Sequence, residues 1–214
     1  IRYEPYGVVG CILPWNYPLS LMGWKLAPAL AAGNTIIMKP SEITSTSLLH
    51  WAEIVGDIMP PGVLNVITGY GAEAGEEIVK HPSIPVITFT GSVKTGKRIA
   101  MRAAKNLKKV SLELGGKDPA IICDDADIDV AAKGTSWGAL VNSGQVCTSI
   151  ERVYVFSNVA DRFTESLVEE SKKVKLGDPM DKNTDIGPMA SKAQLKNTVG
   201  KVALAKEEGA RILT

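Results

Sequence analysis

Short apolar runs alternate with stretches of helical periodicity along the first half of the chain. Val8–Leu13, Asn34–Met38, Val63–Thr68, Pro85–Thr90 and Lys109–Leu114 read as strands, and most are too continuously apolar for a half-exposed sheet. Between them, Leu19–Ala32, Ser41–Met59, Ala72–His81 and Val93–Asn106 carry helical spacing. Ser41, directly after Pro40, is expected to cap the second helix. Gly33 is expected to close the first as a left-handed residue. Strands alternating with helices argue for a parallel sheet covered by helices on both faces. Ligands of such sheets bind outside the carboxyl ends of the strands, so the residues just after each strand are where chemistry is sought.

The pattern changes after Leu114, where Gly115-Gly116 interrupts it. Pro119–Cys123 is a further apolar run. Asp124, Asp125, Asp127 and Asp129 then place acidic groups at the positive end of the next helix. Glu151–Phe156 reads as a strand, Asn158–Lys175 as an amphipathic helix, and Ala193–Gly209 as a helix running into a strand start at Ala210–Thr214. The expected organisation is an α/β fold in two parts. A Rossmann-like dinucleotide-binding domain spans residues 1–115, and the start of a second α/β domain spans residues 116–214. A chain that stops inside an element reads as a fragment.

Composition narrows the classes. The chain has 214 residues, 45% hydrophobic and 22% charged, which is enough apolar surface to offset the entropy of ordering. With 24 basic and 23 acidic side chains the net charge is +1, so there is no electrostatic footprint for nucleic acid. Three cysteines, an odd number, make no disulfide framework, and reduced thiols point to a cytoplasmic setting. The uncharged stretch between Glu4 and Lys25 is interrupted by Pro5, Pro14 and Pro18, so no membrane span is expected. The chain begins with Ile1, which leaves organellar targeting open.

Several polar residues resist a purely structural account. Strand alternation puts Ser111 and Glu113 opposite Val110 and Leu112, on a face that a doubly covered sheet would also bury. A buried carboxylate must find a partner or be neutralised, and at a strand's carboxyl end beside two glycines it suits a general base. Cys147 lies on a loop after Gly144, which is expected to break the preceding helix. A loop thiol among small polar residues is a nucleophile candidate, whereas Cys11 and Cys123 sit in apolar strands and read as small hydrophobes. Asn16 follows the first strand, as either a turn residue or an oxyanion donor. Lys39 and Glu42 follow the second strand, where such sheets recognise an adenosine ribose. Gly69–Gly75 has the spacing G-x-G-x-x-x-G after the third strand and reads first as a turn and helix start. Thr90-Gly91-Ser92 opens a helix with Gly96 one turn in, a reasonable pyrophosphate seat. No C-x-x-C occurs, and His50 and His81 lie on expected surface helices, so no metal site is expected.

Together, PWNYP, GNTIIMKPSE, ITFTGSVKTGKRI, LELGGKDPAII and SGQVCTSIERVYV resemble the aldehyde dehydrogenase superfamily, in family order from Pro14 to Val155. KLGDPMDKNTDIGP at Lys175–Pro188 extends the likeness over essentially the whole chain. The resemblance implies Cys147 as nucleophile, Glu113 as general base and Asn16 as oxyanion donor. It implies a cofactor site of Leu13, Pro14, Trp15, Lys39, Glu42, Thr90, Gly91, Ser92, Gly96, Leu114 and Gly115. It also implies a substrate wall of Tyr17, Leu21, Trp24, Val146 and Thr148. The cofactor implied is NAD, with NADP as the alternative, and the partner is a small aldehyde. Family members begin before Ile1, continue beyond Thr214 and form homo-oligomers.

The chemistry explains the residue types. A thiolate adds to the aldehyde carbonyl, amide donors hold the resulting oxyanion, hydride leaves to a nicotinamide, and a base directs water at the thioester. Nucleophile and base come from different domains, so the resemblance implies a site in the cleft between them. The reading from another class is a truncated, inactive protein of the same fold kept for binding or structure. A coenzyme A-acylating enzyme is a third, disfavoured by Glu113 because a hydrolytic base does not help when a thiol is the acceptor.

Overall fold

The structure, a computed structural model, describes all residues from Ile1 to Thr214. The chain divides into two compact units, Ile1–Gly115 and Gly116–Thr214.

In the first unit, β1 (Val8–Ile12), β2 (Thr35–Lys39), β3 (Leu64–Val66), β4 (Val86–Gly91) and β5 (Lys109–Leu114) form one parallel sheet in the order β3-β2-β1-β4-β5. The connecting helices are α1 (Pro18–Ala31), α2 (Ser45–Val55), α3 (Glu76–Lys80) and α4 (Val93–Ala104). One face of the sheet packs Val9, Cys11, Ile36 and Met38 against Met22 and Leu26 of α1 and Leu48 of α2. The other packs Ile12, Ile87 and Phe89 against Ile78 and Val79 of α3 and Ile99 of α4. Each fully buried aliphatic side chain of this kind contributes roughly 1.5–3 kcal/mol of transfer free energy. Gly10 is fixed by that packing, because a Cβ there would lie 2.5 Å from Ile78 Cγ2. Gly33, at φ +77°, closes α1 as expected.

The second unit pairs β6 (Asp118–Ile122) with β7 (Ile150–Val155) in parallel. Between them runs α5 (Ile128–Leu140), capped by Asp127, whose Oδ1 accepts from the amides of Asp129 and Val130 at 3.1 Å each. Phe163 of α6 (Ala160–Lys173) closes a core with Ile122, Ile128 and Ala132. The last helix, α7 (Lys192–Glu207), is capped by Ser191.

Five local expectations change. Ser41 does not cap α2; the helix starts at Ser45, and Ser41 instead forms a turn in which its Oγ accepts from the Ile43 amide and its carbonyl accepts from the Thr44 amide. The Ala72–His81 stretch opens with a π-helical turn at Gly71–Gly75, and α3 covers only Glu76–Lys80. The helix before Cys147 ends at Leu140, ahead of Gly144. Cys123 lies one residue beyond β6 and is exposed, so it is no core residue. Ala210–Thr214 forms no strand; Gly209 at φ +95° ends α7, the Ala210 amide donates back to the Ala205 carbonyl, and no neighbouring strand pairs with the last four residues.

Candidate active site

A cavity of about 370 Å³ opens at the carboxyl end of the first unit's sheet. It lies where the strand order reverses, between β1 and β4, the usual ligand position in open parallel sheets. Leu13, Pro14 and Trp15 reach it from the end of β1, Lys39, Ser41 and Glu42 from β2, and Thr90, Gly91 and Ser92 from β4. Thr90 Oγ1 is buried without a hydrogen-bond partner. Ser92 caps α4 by accepting from the Thr95 amide at 3.2 Å, so the positive end of a twelve-residue helix borders the cavity. Of the cofactor residues expected from the sequence, Gly96, Leu114 and Gly115 do not line it. Gly96 instead packs on Leu114, where a Cβ would lie 2.6 Å from Cδ2.

Lys39 is 2% exposed. Its Nζ donates to the carbonyls of Pro40 at 2.7 Å and Gly69 at 2.8 Å, and lies 3.9 Å from Glu42 Oε2. Burial lowers its pKa, against the upward pull of Glu42. The lysine thereby ties the Gly69–Gly75 segment to the end of β2, and its third ammonium N–H is committed to neither carbonyl. Sequence reasoning missed the far wall, made by Gly71, Gly75, Glu76, Arg98 and Arg102. Glu76 Oε2 lies 2.8 Å from Arg98 Nη2, and Oε1 lies 3.1 Å from Arg102 Nε without the alignment of a hydrogen bond. The signals are the Gly69–Gly75 spacing, which reads first as a turn, and two arginines four apart on one helix face, which read equally as a solvated surface.

Glu113 departs from expectation. It is exposed, because β5 is an edge strand whose Ser111 and Glu113 face is not covered along its length. On that side a second cavity of about 480 Å³ gathers Leu21, Trp24, Lys25, Thr88, Thr90 and Glu113. Lys25 is buried and donates from Nζ to Thr88 Oγ1 at 2.9 Å. Burial lowers its pKa, while Cys11 and Glu113 pull it upward. The Tyr17–Leu21–Trp24 stripe is not uniform: Tyr17 is half-buried, Leu21 buried and Trp24 72% exposed. Asn16 is half-buried, with a neighbouring partner, in the bend between β1 and α1.

In the second unit, Cys147 is exposed at the second position of a turn closed by the Ser149 amide donating to the Val146 carbonyl at 3.3 Å. Val146 is half-buried and Thr148 exposed. Before the turn, Asn142, Ser143 and Gly144 take φ values of +52°, +58° and +71°. For the two that carry a Cβ, this left-handed conformation costs about 1–2 kcal/mol per residue. After the turn, buried Ser149 donates from Oγ to the carbonyl of Ala139 near the end of α5. Cys11, by contrast, is wholly buried in β1, and burial pushes its thiol up to about 12, with Lys25 pulling the other way. Iodoacetamide near neutral pH is therefore expected to label Cys123 and Cys147 in the native protein, and Cys11 only on unfolding. Mass spectrometry checks this; labelling of native Cys11 at a comparable rate would contradict the burial argument.

A Rossmann-like parallel sheet with a cavity at its switch point, followed by a βαβ unit displaying a turn cysteine, defines the class of α/β protein. The aldehyde dehydrogenase family profile matches residues 1–214. The chain is 47% identical over 211 residues to a chloroplastic aminoaldehyde dehydrogenase of Arabidopsis thaliana, covering 98% of this chain and 42% of that protein. Identity and both coverages are the same for a betaine aldehyde dehydrogenase of Oryza sativa subsp. japonica. The structure of betaine aldehyde dehydrogenase from Staphylococcus aureus in complex with NAD+ superposes with a TM-score of 0.96 at 41% identity, covering 99% of this chain and 42% of that one. The chain belongs to the aldehyde dehydrogenase family, and it spans about 42% of the length of these relatives.

Proposed function

We infer that the protein carrying this chain oxidises an aldehyde to a carboxylic acid with NAD(P), through a thiohemiacetal and a thioester on Cys147. Residues 1–115 serve as the dinucleotide-binding domain and residues 116–214 as part of the nucleophile-bearing domain. The observation that carries the reading is the presentation of Cys147: the one family-motif thiol is also the one held exposed on a braced turn. The switch-point cavity fits a dinucleotide, with Lys39 and Glu42 for the adenosine ribose and the α4 amino terminus at Ser92 for phosphate. When bound, the nicotinamide supplies the hydride acceptor. The Cys147 thiolate attacks the carbonyl carbon. The Asn16 amide and the Cys147 backbone N–H donate to the oxyanion, each worth about 3 kcal/mol in comparable sites. Glu113 takes the proton from the water that cleaves the thioester. The test is formation of reduced cofactor and acid in equal amounts from a supplied aldehyde; absence of both with every aldehyde and both cofactors would overturn the reading.

NAD is expected to be preferred over NADP. Glu42 is half-exposed at the end of β2, placed to accept from a ribose 2′-hydroxyl and to repel a 2′-phosphate. Lys39 offsets this only partly, since two of its donors are committed to carbonyls. Comparison of kcat/KM should favour NAD by about tenfold or more, equivalent to roughly 1.4 kcal/mol. A clear NADP preference would contradict it.

The aldehyde is expected to be neutral or amphipathic rather than a small dianion. Tyr17, Leu21, Trp24, Val146 and Thr148 bring no charge. Lys25, which shares a cavity with Leu21 and Trp24, is committed to Thr88 and lies in the same cavity as the Glu113 carboxylate. The relatives named for aminoaldehydes and betaine aldehyde act on aldehydes with a cationic nitrogen and no carboxylate, which speaks against a dianion and does not select a neutral substrate. A panel of aliphatic, aromatic, amino- and carboxy-aldehydes decides; highest kcat/KM for the carboxylated members would refute it.

A further inference from the structure

The Lys175–Pro188 motif has no part in the chemistry above, yet its far end is bound to the nucleophile loop. Gln145, two residues before Cys147, accepts from the Ala190 amide through Oε1 at 2.9 Å and donates through Nε2 to the Asn142 carbonyl at 2.9 Å. Ser143 donates from Oγ to the Gly187 carbonyl. The ties to Ala190 and Gly187 span 45 and 44 residues of sequence, one from just after the left-handed run at Asn142–Gly144 and one from within it. Residues 175–186, just before the Gly187 and Ala190 contacts, are closed into a loop. The Lys175 carbonyl accepts from the Asp185 and Ile186 amides, Asp185 Oδ2 accepts from the Lys175 amide at 2.8 Å, and the Gly177 amide donates to the Ile186 carbonyl.

We propose that Gln145 is a positioning residue for the nucleophile: it holds the left-handed loop on the 187–190 segment as a buttress, which fixes where the turn presents the Cys147 sulfur. This rests on Cys147 as the nucleophile. A left-handed run of residues bearing Cβ atoms does not keep its shape unaided. The turn after it has anchors at each end, Gln145 before and Ser149 behind. Removing the first leaves the front of the turn on the Ser143–Gly187 bond and the bonds of the Gln145 backbone to Asn142. Displacement of a reacting atom by about 1 Å is enough to cost around 10²-fold in rate.

The test compares Gln145→Met, Gln145→Glu and Ser143→Ala in the protein that carries this chain. Gln145→Met keeps the size and removes both polar bonds, and kcat for aldehyde oxidation is expected to fall about 30-fold or more. Cofactor affinity should stay within about twofold, because the cofactor cavity is built entirely from the first unit. Gln145→Glu retains an oxygen for the Ala190 amide and is expected to recover most of kcat. Ser143→Ala cuts the second tie and should lower kcat less, about fivefold. Thermal denaturation run alongside separates misplacement from unfolding; should Gln145→Met fail to fold, the glutamate and Ser143→Ala variants carry the comparison. Wild-type kcat in the folded variants, or a loss in Gln145→Glu as deep as in Gln145→Met, overturns the proposal. If Cys147→Ala itself stays active, the nucleophile assignment is what has failed; if it is inactive while the Gln145 variants are at wild-type rate, the buttress is wrong and the assignment stands.

Discussion

Replacing Cys147 by alanine is expected to abolish aldehyde oxidation, by about 10⁴-fold or more, while the affinity for NAD stays within about twofold. The chemistry leaves no substitute. Hydride departs from the carbonyl carbon only after a nucleophile has added to it, and neither other thiol can take over that task. Cys11 is wholly buried in β1, with its thiol pushed up to about 12 by burial. Cys123 is exposed, but it only opens a turn closed by the Ala126 amide on its own carbonyl at 3.2 Å, and it lies just past the motif that ends with β6. Cofactor affinity should survive because none of the cavity's lining belongs to the second unit. Kinetics and a nucleotide-binding titration on Cys147→Ala, Cys11→Ala and Cys123→Ala check the assignment. An active Cys147→Ala beside an inactive, folded Cys11→Ala would reverse it.

The strands of the first unit are legible in the sequence because burial on both faces leaves a continuous apolar run. Val8–Ile12 and Thr35–Lys39 fall within a residue of the expected bounds for that reason. The exposure of Glu113 is not legible, because it depends on strand order. In β3-β2-β1-β4-β5 the fifth strand is an edge, and nothing in the run Lys109–Leu114 encodes who its neighbours are. Cys123 differs from expectation by a single residue: the apolar run continues through it, but the ladder stops at Ile122. Ser41 comes after a proline and so resembles a cap, yet a turn lies between it and α2, and that turn carries Ser41 and Glu42 to the cavity.

The candidate site divides along the same line. Cys147, Lys39 and the Thr90–Ser92 corner are legible from motifs after strands, where the fold dictates chemistry. Arg98, Arg102 and Glu76 are not, because an ion cluster joining two helices has no period in a single sequence. The Gln145–Ala190 bond is not either. It joins residues 45 apart, and although Asn142 and Gly144 are types that tolerate the left-handed region, Ser143 between them gives no warning.

Glu113→Gln is expected to separate the two halves of the reaction. If Glu113 is the base for thioester hydrolysis, its amide leaves thiol addition and hydride departure intact and stalls the acyl-enzyme. Reduced cofactor should then appear in a burst close to one equivalent per Cys147, before a steady state slower by about 10²–10⁴-fold, the usual worth of a positioned acid or base. The acyl group should be recoverable on Cys147 by intact-mass measurement. The structure makes this variant informative. Glu113 sits exposed at the carboxyl end of an edge strand and belongs to neither face of the core, so the substitution removes a charge without opening a cavity. It shares its cavity with Lys25, whose ammonium feels the carboxylate. Rapid mixing of enzyme, NAD and aldehyde gives the burst. A variant with neither burst nor turnover would place Glu113 in acylation, and one with wild-type steady state would remove it from the mechanism.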